Sequence, residues 1–346
     1  MSIMSPRNRF LFALVVLLSV VAAAFLLLRH SPASLEKTDS ALDFQEEKDY
    51  WYAQIVRVGG DDAYREMIQK GRGMSASQSH VMAHSFGEAL FQTEGVEGFS
   101  LCGIQFLYGC YHQFIGNAIA ALGLPVVERF RVACASKSLL GVFPCLHGLG
   151  HGILGYLGYS LDDLKKALTM CKASNLGEER SGCIDGVFME YNIHGLTAYK
   201  SGTIEPRKFS VENTYNPCFD VDVEYRAQCV YQLPDWWLAA IPGPGDIGGR
   251  FAQAGIYCSH MQDKTLIQTC FEGVGHIAPP LSNLNPDVAA ALCAAAAAPD
   301  YRTSCLSSAA LRFKLEGFKD YFGLCERFGL VGSDLVRCRR FENKAS

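Results

Sequence analysis

The sequence predicts an all-α protein: a tandem array of about seven disulfide-clamped antiparallel helical hairpins, forming a solenoid or a closed α/α ring, behind one N-terminal transmembrane helix. Three observations predict it. Fourteen cysteines lie between Cys102 and Cys338, and from Cys110 onward their gaps alternate between 20–35 and 11–13 residues. Constant joints beside variable interiors are what a tandem array produces. The segments between cysteines carry helix caps and helical spacing. The third observation is an apolar N-terminus.

Residues 10–28, from Phe10 to Leu28, are uncharged and flanked by Arg7, Arg9 and Arg29. At about 1.5 Å per residue such a run crosses a bilayer core of about 30 Å. The expected order is a cytoplasmic tail (1–9), an anchor (10–28), a linker (29–49) and an extracytoplasmic helical-repeat domain (50–340). Ala22 and Ala24 offer a cleavage site, so a removed signal peptide is the alternative. Arginines kept inside place the cysteine-rich domain outside, making a single-pass membrane protein, periplasmic if bacterial. So many cysteines point the same way, since a reducing cytosol would hold them as thiols. No CxxC occurs, which argues against zinc ribbons and thioredoxin-type sites. The membrane, through residues 10–28, is the expected partner. A net charge of −4 without a long basic block argues against nucleic acid.

The clearest unit is Cys145–Cys171, in which a Gly-rich helix is followed by Ser160 as N-cap, Asp162 and Asp163 in the first turn, and Leu164, Ala167 and Leu168 at helical spacing. Asn285-Pro286-Asp287 opens a second helix in the same way in Cys270–Cys293. If each unit is a hairpin whose ends meet, Cys145 pairs with Cys171, Cys183 with Cys218, Cys229 with Cys258 and Cys270 with Cys293. Cys102 and Cys338 are then left over; their pairing would close a ring. An earlier unit without a first cysteine aligns if Gln78 takes that place.

Aligned on the first cysteine, position +2 holds His112, His147, Asp185, Tyr231, Glu272 and Ser307, and position +6 holds Gly116, His151, Met189, Asp235, His276 and Leu311. The early unit supplies His80 and His84, continued by Glu88. Residues four apart share a helix face and can chelate one cation. Six of nine histidines occupy these two positions, so the candidate metal ligands are His80, His84, His112, His147, His151, Glu272 and His276. Glu190 and Glu88 are the candidate general acid–base residues. Nitrogen and oxygen donors without thiolate suit Zn, Fe or Cu.

The expected function is therefore a membrane-anchored extracytoplasmic metal-binding protein, with or without enzyme activity. The alternatives are imidazoles satisfied by neighbouring backbones, and a non-enzymatic repeat scaffold binding a protein or glycan. Gly148, Gly150, Gly152, Gly155 and Gly158 are read as admitting close helix contact. A phosphate loop is rejected, because no strand or P-loop lysine accompanies them. The architecture is similar to that of cysteine-rich Sel1-like repeat proteins, but their repeat text is missing and nothing is carried over.

Overall fold

The chain alternates two kinds of helix, one that packs against its own kind and one that fills the space between. In the computed structural model, which describes residues 44–137, 139–172, 177–196, 206–241, 246–318, 321 and 323–343, every regular element is helical. They are α1 (Phe44–Val58), α2 (Gly60–Gly71), α3 (Ala76–Glu94), α4 (Gly109–Leu122), α5 (Val126–Ala135), α6 (Leu139–Leu157), α7 (Leu161–Lys172), α8 (Gly177–Ile193), α9 (Arg226–Ala240), α10 (Ile247–Ser259), α11 (Lys264–Leu281), α12 (Pro286–Ala296), α13 (Pro299–Leu315), α14 (Leu324–Arg327) and α15 (Gly332–Asn343), with short 3₁₀ turns between some of them.

The helices α1, α3, α4, α6, α8, α9, α11 and α13 each pack on the next of that succession, while α5, α7 and α12 bridge neighbours. The core along it is aromatic, with Trp51, Phe86, Phe114, Phe130, Phe188, Trp236, Trp237, Phe271 and Phe313 fully buried. Residues from Asp43 onward make one compact unit.

Local chemistry sets several boundaries. Ser160 Oγ accepts from Asp163 N at 3.1 Å and the Asp163 carboxylate accepts from Ser160 N at 3.3 Å, a reciprocal cap that starts α7. Asn285 caps α12, with Pro286 in its first turn. At the start of α3 the pair is Ser75 and Gln78. Gln78, aligned above with a cysteine, is the exposed N3 residue of that box.

The disulfides correct the expected pairing. The bridges are Cys102–Cys110, Cys134–Cys145, Cys171–Cys183, Cys218–Cys229, Cys258–Cys270, Cys293–Cys305 and Cys325–Cys338. Each spans a short gap, so Cys145 does not pair with Cys171, Cys183 with Cys218, Cys229 with Cys258 or Cys270 with Cys293, and Cys102 does not meet Cys338. The physical reason is the face each cysteine occupies. Cys134, Cys171, Cys258 and Cys293, near the ends of α5, α7, α10 and α12, turn toward the helix that follows. The bridge therefore fastens the joint, across Cα separations of 5.3–6.0 Å. Closing loops of this length is nominally worth about 3 kcal/mol each.

Gly150 and Gly186 explain the closest helix pair. A Cβ on Gly150 would overlap the Cys183 carbonyl, and one on Gly186 the His147 carbonyl, so only glycine lets α6 and α8 touch backbone to backbone. Gly158 is different from the other glycines of its unit: at φ 117° it forms the turn after α6. Two boundaries also shift. Helix α6 begins at Leu139, six residues before Cys145, and α1 begins at Phe44, within the segment read as linker. The expected tail and anchor, and the linker up to residue 43, lie outside the described residues. Among those described, no helix is long and apolar enough to cross a membrane. Seven disulfides and no free cysteine suit an oxidising, extracytoplasmic environment.

Candidate metal centre

Five imidazoles meet where α3, α4 and α6 pack in succession. His80 and His84 stand one turn apart on α3, with Nε2 atoms 3.2 Å from each other. His147 and His151 do the same on α6 at 3.1 Å. His112 of α4 lies between the pairs, its ring centroid 5.6 and 5.3 Å from His80 and His84 and 5.0 and 4.5 Å from His147 and His151. Ligand atoms of His80, His84 and His112 all lie within 4.8 Å of one another, as do those of His112, His147 and His151. His84, His112, His147 and His151 are buried and His80 is partly so.

The surroundings place an oxygen beside Nδ1 of each imidazole in the two pairs. His80 Nδ1 is 2.8 Å from the Phe106 carbonyl, which the left-handed turn at Phe106, Leu107 and Tyr108 aims at it. His84 Nδ1 is 3.1 Å from Gln113 Oε1. That amide is itself oriented, because Gln113 Nε2 donates to Glu88 at 3.1 Å and to Asn117 at 3.2 Å. His151 Nδ1 is 2.7 Å from a Glu190 oxygen. His147 Nδ1 is 2.9 Å from Asp185, a close charge contact whose angle falls outside hydrogen-bond geometry. Each Nδ1 of the two pairs therefore has an oxygen within 3.1 Å. The Nε2 atoms of each pair face one another.

Such an arrangement could hold a metal ion. Protons serve poorly: burial holds His80 down to about 4 and His84, His112 and His147 below the usual imidazole range, with neighbouring histidines adding to the effect. His112 Nε2 is buried with no hydrogen-bond partner among the described residues. A neutral imidazole with one nitrogen bare and the other held by a carbonyl or carboxylate is a metal ligand with its outer shell in place. Two nitrogens of a tetrahedral ion at about 2.0–2.1 Å stand about 3.3 Å apart, close to both pair spacings.

The other candidates lie elsewhere. Glu190 is fully buried behind His151, accepting also from Tyr159 Oη at 2.6 Å and the Leu196 amide at 3.1 Å. Glu88 accepts from Gln113 and lies 3.6 Å from Lys48. Both stand behind ligands, where they position imidazoles. Glu272 accepts from Gln268 at 3.1 Å, and His276 Nε2 meets the Arg312 guanidinium, so neither joins the cluster. Arg312 is buried and paired to Glu316 at 2.6 Å. Its charge nonetheless bears on His80 and His147. Nearby Asp235 is pushed up to about 6 by burial.

Sequence reasoning missed Gln113, Asp185 as a partner of His147, the Phe106 carbonyl and Arg312. Asp185 stood at position +2 and was legible there. Arg312 and Glu190 share position +7, a register not considered for the array as a whole. No protein-family model, no curated protein and no solved structure matches this chain, so its chemistry rests on these side chains alone.

Proposed function

We propose that the chain is a membrane-anchored, extracytoplasmic metal-binding protein, held to the bilayer through residues 10–28, whose site is His80, His84, His112, His147 and His151. The observation that carries this reading is the pair of facing Nε2 atoms on α3 and again on α6, each imidazole backed by an acceptor at Nδ1. Imidazole donors favour Zn, Cu or Fe. Three nitrogens per triad leave coordination positions for water or a substrate, the pattern of a catalytic rather than a closed structural site.

The helix succession is read as a tandem array whose successive helices carry this cluster, since α3, α4 and α6 pack each on the next. Dialysis of the oxidised full-length chain followed by elemental analysis tests the function. Retention of at least one transition-metal ion per chain is expected, with its loss when all five histidines become alanine. A wild-type chain that retains none overturns the reading in favour of a non-enzymatic scaffold.

A further inference from the structure

The histidines make two triads that share one member. His80, His84 and His112 form one and His112, His147 and His151 the other. The two pairs do not merge with His112 into one set at the same separation. Each pair is already spaced as two ligands of a single ion, at 3.2 and 3.1 Å. One ion bound by both pairs would have to draw α3 and α6 together around α4, whose His112 lies between them. Two ions require no such movement.

His112 is chemically distinct from the other four. His80, His84 and His151 each have Nδ1 hydrogen-bonded to a carbonyl, amide or carboxylate oxygen and His147 has its Nδ1 2.9 Å from Asp185, whereas His112 has a buried Nε2 with no hydrogen-bond partner among the described residues and no carboxylate beside it. It is 3% exposed. A buried imidazole nitrogen left without a partner is destabilising, and a bound cation would offset that cost. His112 belongs to both triads, and α4, which carries it, packs on α3 and on α6.

We infer that the centre is dinuclear, with one ion on His80 and His84, a second on His147 and His151, and His112 bridging them through its two ring nitrogens. This rests on the metal-binding reading above. Bridging uses both lone pairs of the ring, so the single N–H proton of His112 passes to solvent and the ring binds as imidazolate between two dications. Asp185 and Glu190, behind the second pair, and Glu88, behind Gln113, place negative charge around the two positive ions.

The test uses the full chain with its disulfides intact, stripped by chelator and loaded with Cu(II) alone, read by elemental analysis and electron paramagnetic resonance. Two coppers per chain are expected, with a signal well below that of two independent spins and a half-field transition. His112→Gln should abolish the coupling. His80→Ala with His84→Ala, or His147→Ala with His151→Ala, should each halve the copper to one per chain at full single-spin intensity. These double variants decide the matter even if His112→Gln does not fold. Saturation at one copper, two coppers with independent spins, or loss of both ions from either double variant overturns the bridge. A wild-type chain that binds no copper or other transition metal overturns the metal reading itself, so the two failures are distinguishable.

Discussion

The first and last parts of the helix succession answer the same requirement differently. On α11 and α13, His276 Nε2 accepts from the guanidinium of Arg312, a buried cation that Glu316 neutralises at 2.6 Å. On α3, α4 and α6, five imidazoles face one another, with a carbonyl, an amide and carboxylates beside their Nδ1 atoms. One region carries its cation in the sequence. The other has histidine groups that could hold a cation from outside.

The largest effect should come from removing the built-in cation. Arg312→Met leaves Glu316 buried and His276 unpaired, and should cost about 3–5 kcal/mol, read by chemical denaturation of the metal-free chain. Restoring most of that stability with Glu316→Gln in the same chain would show that the loss comes from the stranded carboxylate. A loss under about 1 kcal/mol would break the comparison.

Acid should act on the other region. His80 has its folded value depressed to about 4, and His84, His112 and His147 are lowered as well. Above pH 6.5 both folded and unfolded imidazoles are neutral and nothing is lost. As pH falls from 6.5 toward 4 the unfolded chain takes up protons that the folded one refuses, so stability falls. Thermal melts of the metal-free chain should show this fall, and the variant with all five histidines replaced by alanine should lack most of it.

Glu190→Gln should weaken metal binding by about 10–100-fold, because it removes the charge that orients and enriches His151. Competition against a chromophoric chelator measures it, and an unchanged affinity would show that Glu190 only caps the Leu196 turn. The smallest effect is expected of His112→Leu in the metal-free chain. An apolar side chain replaces an unpartnered polar one, so stability should stay within about 1 kcal/mol of wild type. A loss as large as that of Arg312→Met would mean that His112 is held by the protein itself.

These contrasts also show what the sequence could and could not disclose. The caps at Ser160 and Asn285 and the histidine frame were legible because each depends on neighbours within one helical turn. The disulfide phase was not, since alternating gaps fit pairing across the long interval as well as the short one, and only the helix face occupied by Cys134 or Cys171 decides. The residues that stand behind the histidines were hidden for a related reason. Gln113, Asp185 and the Phe106 carbonyl reach their histidines across 29, 38 and 26 residues, through packing or a left-handed turn that no local pattern announces.

The disulfides have a consequence for how the chain is made. Every cysteine is bonded to an immediate neighbour among the cysteines, 8 to 13 residues away. A chain exported in order from residue 44 onward would thus deliver the two thiols of each bridge almost together, and before any thiol of the next. An oxidase that joins cysteines as they emerge would produce the native set without reshuffling. Each joint would then be locked before the next pair of cysteines arrives, and the demand on a disulfide isomerase would be small.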